Sequence, residues 1–132
     1  DYAKLTCDTR YTDYALLEEV LPKLQAIAAK QYVPDTKTVL KTVTEFQSMD
    51  EVPGTAALLK LVQEAAAECN LPQPTAKAVG GGSDSAYATA AGVPTICALG
   101  VQGARNHTAE EFAIVDTLFS RCKLFATIML NI

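Results

Sequence analysis

His107 is the only histidine in this chain of 132 residues. It is therefore the only side chain with an unperturbed pKa near neutrality, and the only imidazole that a metal ion could use. It stands in Asn106-His107-Thr108-Ala109-Glu110-Glu111, after the loop Val101-Gln102-Gly103-Ala104-Arg105. One imidazole cannot hold a metal alone, and no carboxylate cluster lies beside it at ligand spacing. Thr108 and Glu111 make a T-x-x-E capping box. That pattern predicts that His107 opens a helix, with Glu110 and Glu111 at the positive end of its dipole.

A second stretch could do chemistry through its backbone. Gly80-Gly81-Gly82-Ser83-Asp84-Ser85 follows a short strand predicted over 75–79 and precedes a helix of small residues ending near Ala91. Adjacent glycines permit close backbone approach to a ligand, and they also suit a plain turn with Ser83 or Asp84 as helix cap. The residues leave both readings open. A phosphate-binding α/β domain is an alternative, because a strand-to-helix loop suits anions. The run has neither the lysine of a G-x-x-x-x-G-K-S/T loop nor the spacing of G-x-G-x-x-G.

The elements that must position these groups are legible in the periodicity. Residues 3–11 alternate, with Ala3, Leu5, Cys7 and Thr9 on one face, as a half-buried strand should. Thr12 and Asp13 should cap a helix with a stripe of Leu17, Leu21, Leu24 and Ala28, flanked by Val20 and Ile27, which Pro22 should kink or restart. Residues 38–46 predict a second strand. Pro53-Gly54 marks a boundary, and a helix follows over 55–69 with Leu58, Leu61, Val62, Ala65 and Cys69 on one face. Residues 93–99 predict a strand buried on both faces. A last helix is predicted over 116–130, with Leu118, Arg121, Cys122, Phe125 and Met129. This order implies an α/β fold with an α+β portion.

Composition sets wider bounds. The chain is 49% hydrophobic and 20% charged, as in a globular protein, with a net charge of −4. A negative balance argues against nucleic acid or an anionic membrane as partner. No apolar run reaches the length of a membrane span, and no signal-peptide pattern is visible. Cys7, Cys69, Cys97 and Cys122 form no C-x-x-C pair, so a structural zinc site is not expected. Each sits in an apolar run. The expectation is buried thiols in a reducing compartment, hence a cytoplasmic protein.

The order G-G-G-S/T-D, small-residue helix, Gly92-Val93-Pro94, apolar strand, Gly100-Val101-Gln102-Gly103, then His107 with Glu111 resembles the C-terminal end of the dizinc aminoacylase and carboxypeptidase family. That family includes glutamate carboxypeptidase, acetylornithine deacetylase and succinyl-diaminopimelate desuccinylase. Leu5-Thr6-Cys7-Asp8-Thr9-Arg10 is similar to its D-x-R strand, so the resemblance runs from about residue 4 to 130. It implies a zinc-dependent hydrolase acting on a peptide or an N-acyl amino acid. Residues 1–47 would be the second half of a ferredoxin-like lid that dimerises. Residues 48–132 would be the C-terminal part of the catalytic α/β domain. His107 would ligate one of two zinc ions. Arg10, Gly80, Gly81, Gly82 and Ser83 would bind substrate. The family's H-x-D motif, Glu-Glu pair and general base have no counterpart here, so the expectation is a fragment with no catalytic base and no activity alone. Two departures stand out. Arg105 replaces a glycine of the pattern, and the arginine that helps hold a glutamate carboxylate is missing around Glu45-Phe46-Gln47-Ser48. A non-catalytic dimerisation or interaction module remains the other reading.

Overall fold

The structure is a computed structural model and describes residues 2–132. It has four helices and one small sheet: α1 (Ala15–Ala28), α2 (Thr55–Glu68), α3 (Ser85–Ala90), β1 (Gly103–Ala104), β2 (Phe112–Ala113) and α4 (Val115–Leu130). The chain divides into two compact units, one of Asp1–Asp50 with Ala78–Ala91, the other of Glu51–Lys77 with Gly92–Ile132. The break after Asp50 falls close to Pro53-Gly54, and the glycine run and α3 group with the first unit.

In the first unit, Asp13 rather than Thr12 serves the start of α1, its carboxylate accepting the Ala15 N–H at 2.8 Å. The expected stripe is real: Leu17, Val20, Leu21, Leu24 and Ala28 are half-buried while their neighbours are exposed. Pro22 lies inside a helix that runs on without a break. Its ring denies one N–H to the ladder, and the flanking turns carry the helix past it. In α3 the short helix is served by Ser83, whose Oγ accepts the Ser85 N–H at 3.3 Å, while Asp84 makes no side-chain cap bond.

The second unit holds the core. Val62, Ala65 and Ala66 of α2 pack against Leu124 and Ile128 of α4, with Leu61, Leu71, Ile96 and Leu99 around them. Alanines at the contact let the two helices approach closely. Cys69 Sγ meets Thr127 Oγ1 at 3.3 Å beside this contact. The turn after α2 is closed by its backbone. Asn70 takes φ +57°, Leu71 N–H donates to Ala66 O at 2.8 Å, and Asn70 N–H donates to Ala67 O at 3.0 Å. This paired pattern satisfies the last carbonyls and delivers Leu71 to the core. Gly54 starts α2 at φ +100°, and a Cβ there would stand 2.8 Å from Pro94 Cγ. Only glycine satisfies both conditions.

Four expected strands do not form. Among the described residues the one sheet is the β1–β2 pair, and residues 3–11, 38–46, 75–79 and 93–99 run without a ladder. Alternation favours a strand only when a neighbour supplies hydrogen bonds and cover. Leu5 is 92% exposed and Val43 88%. Residues 93–99 are not buried on both faces, since Val93 is 52% exposed and Ala98 turns left-handed at φ +62°. The accessible surface is 10523 Å² for 14.1 kDa. Size scaling gives about 8,000 Å² even for two separately folded halves, so much apolar surface stays uncovered. The cysteine expectation is corrected on burial: the four are free thiols, but only Cys69 is buried, while Cys7, Cys97 and Cys122 are exposed. Among the described residues no helix is long and apolar enough to cross a membrane.

Candidate functional site

His107 sits at the tip of a hairpin, not at the start of a helix. β1 and β2 pair antiparallel, Gly103 opposite Ala113 and Ala104 opposite Phe112. A Cβ on Gly103 would fall 2.2 Å from Phe112 O, so glycine is what lets the strands close. Ile114 N–H donates to Gln102 O at 2.8 Å and Gln102 N–H donates to Thr117 Oγ1 at 2.9 Å, which anchors the hairpin to the first turn of α4.

The loop between the strands reverses through two left-handed residues, Arg105 at φ +61° and His107 at φ +65°. Side chains at these values are uncommon and must be held by their surroundings. The Glu111 carboxylate accepts the His107 backbone N–H at 3.1 Å, and Thr108 Oγ donates to Arg105 O at 2.7 Å. Arg105 pairs with Glu110 across the loop. The capping-box residues thus make a capped turn. The expected helix fails because the chain must return to pair Phe112 and Ala113 before α4 can begin at Val115. Glycine at position 105 would meet the left-handed backbone more easily. Arginine is tolerated there with a carboxylate partner.

His107 is exposed, and an open groove of about 800 Å³ lies next to the loop, lined in part by Asn106, Glu111 and Arg121. Among the described residues no group of three or more His, Cys, Asp or Glu side chains could hold a metal ion. The donor set is one imidazole. It fits a single ligand position and does not by itself make a metal site.

The first unit brings together two features far apart in sequence. Arg10 Nη1 donates to Gly80 O at 2.9 Å. The same guanidinium grips Asp8 through Nε at 3.1 Å and Nη2 at 3.0 Å, so Arg10 is both a paired charge and a neighbour of the glycine run. Gly80, Gly81 and Gly82 are exposed, and none has a left-handed φ. A Cβ on Gly81 would meet nothing within 4 Å, whereas one on Gly82 would sit 3.4 Å from Phe46 Cδ1. The glycines are therefore not demanded by the turn at Gly81.

Sequence reasoning missed an aromatic cluster beside this run. Tyr11 and Tyr14 meet edge to face at 6.1 Å, and Phe46 and Tyr87 lie tilted with centroids 6.4 Å apart. The Tyr11 hydroxyl donates to Phe46 O, and the Tyr14 hydroxyl donates to Glu45 Oε1. Desolvation first, then the charges of Glu45 and Tyr87, push the Tyr11 phenol above its ordinary value. The hydrogen bond to Glu45 does most of the same for Tyr14. The available signal was the (i, i+3) spacing of Tyr11 and Tyr14, two residues that must share one side of a turn.

The family model described as Peptidase family M20/M25/M40 matches residues 18–131. The chain belongs to this peptidase family. The match spans α1 through α4, and it takes in the glycine run and His107. No match was found among the curated proteins or among the solved structures. Membership places the chain among hydrolases of the metallopeptidase kind. Arg10 and Asp8 lie before the matched residues.

Proposed function

We propose that the chain supplies part of the substrate pocket and one metal ligand to a zinc-dependent hydrolase of peptides or N-acyl amino acids. The carrying observation is that the peptidase match includes His107, presented on an exposed, hydrogen-bonded hairpin turn. A neutral imidazole held on a defined backbone is a good zinc ligand. In this reading the other ligands and the general base come from residues other than those described, and the chain alone is inactive. Arg10, Gly80, Gly81, Gly82 and Ser83 line the substrate side. Residues 1–47 act as lid and 48–132 as the end of the catalytic domain, in a cytoplasmic enzyme. The test is His107→Ala in the complete enzyme, assayed on N-acyl amino acids and dipeptides with zinc present. Activity should fall by orders of magnitude with the circular dichroism unchanged; near-normal turnover would remove His107 from the site.

A second reading rests on the exposed segments. Leu5 and Val43 lie on extended, unladdered backbone, which is what a strand edge offers to another chain. Homodimerisation through the first unit accounts for them. Sedimentation that stays monomeric at high protein concentration would count against it.

A further inference from the structure

We propose that Phe46 and Tyr87 form a platform for an aromatic side chain of the substrate, beside the backbone of Gly80–Gly82. The inference rests on the hydrolase reading above, in which the glycine run faces substrate, and names the substrate class that this part of the pocket takes.

Three observations carry it. The two rings stand 6.4 Å apart at 50°, and Phe46 and Tyr87 are 47% and 50% exposed. They are held in place yet still show a face to solvent. A third ring can add to such a pair by edge or offset contact. Next, Phe46 lies against Gly82, its Cδ1 3.4 Å from where a Cβ would be. The ring thus borders the stretch of backbone that has no side chains of its own, and a flat group bound at Gly82 would lie beside Phe46. Third, the charges around the platform disfavour an acidic group. Glu45 precedes Phe46, and its carboxylate takes the Tyr14 hydroxyl. Arg10, which reaches the glycine run at Gly80 O, is already paired with Asp8. A glutamate side chain entering here would meet the Glu45 carboxylate, with the Arg10 guanidinium already committed to Asp8. An aromatic one would meet two rings.

The test uses two small carboxylic acids of similar length, 3-phenylpropanoate and glutarate, titrated into the full chain and followed by NMR. Neither contains an amide bond, so the result is independent of hydrolysis. The Phe46 and Tyr87 ring signals and the Gly82 amide should shift with 3-phenylpropanoate and stay still with glutarate. Phe46→Leu keeps apolar bulk but removes the ring, and it should weaken 3-phenylpropanoate roughly three- to tenfold. Phe46→Tyr should restore binding, and Tyr87→Leu provides a second loss should Phe46→Leu unfold. Equal shifts with both acids, no shift with either, or signals that follow protein concentration instead of ligand would overturn the proposal. If the aromatic acid binds but the complete enzyme cleaves no N-acyl amino acid, the hydrolase reading fails while the platform stands.

Discussion

The Glu111 carboxylate accepts the backbone N–H of His107 at 3.1 Å, four residues back along the chain. This one bond ties the residue just before β2 to the left-handed residue that displays the imidazole. Its removal should be felt at His107 first. In Glu111→Ala the His107 amide should exchange with solvent several-fold faster, a local loss of about 1 kcal/mol for one exposed charge-assisted bond. Glu111→Gln keeps an acceptor and should recover most of the protection. Hydrogen exchange by NMR reads both variants, and unchanged protection in the alanine variant would show that the turn holds without the carboxylate.

Leu124 of α4 is fully buried against α2. Leu124→Ala should cost about 2–4 kcal/mol, because the small residues Ala65 and Ala66 opposite it cannot collapse into the space. Urea unfolding monitored by circular dichroism gives the value. A loss below about 1 kcal/mol would mean that the α2–α4 contact is not the core.

Glycine substitutions separate the turn from the pocket. Gly54→Ala meets Pro94 at 2.8 Å on a backbone at φ +100° and should lower the melting temperature clearly. Gly81→Ala meets nothing within 4 Å and should leave stability unchanged. If Gly81 faces substrate, the added methyl group should instead lower kcat/KM in the complete enzyme. Lost stability with unaltered kinetics at Gly81 would make the run structural.

The Tyr11 and Tyr14 phenols are held above the ordinary value of 10.0. A raised pKa in the fold means that the unfolded chain loses its phenolic protons first as pH rises. The fold therefore keeps this contribution below pH 10 and loses it as pH climbs through the raised values. Absorbance at the phenolate band should show a phase above pH 10 that belongs to Tyr11 and Tyr14. Tyr14→Phe should reduce that phase by one residue, and an unchanged phase in the variant would contradict the Glu45 contact.

An isolated chain should bind zinc weakly, since it offers one imidazole and no converging carboxylates among the described residues. Calorimetry at neutral pH with stoichiometric, tight uptake would show a ligand set that the described residues do not reveal.

The helices were legible because their hydrogen bonds are local. The stripe Leu17, Leu21, Leu24 and Ala28 appears half-buried as read, and α2 and α4 fall within a residue or two of expectation. The family was legible too, because glycine run, proline and histidine keep their order and spacing, and residues 18–131 match it. What the sequence could not determine was pairing. A strand exists only when distant backbone meets it, and the alternation of residues 3–11 or 38–46 says nothing about whether a neighbour is there. The same holds for His107. T-x-x-E predicts a helix start from local chemistry alone, but the pairing of Gly103 with Ala113 closes the chain into a hairpin and turns the same residues into a loop. Only the tertiary structure could set Arg10 on Gly80 across 70 residues, or Phe46 on Gly82, because such contacts follow from how the backbone is folded back and not from any period within it.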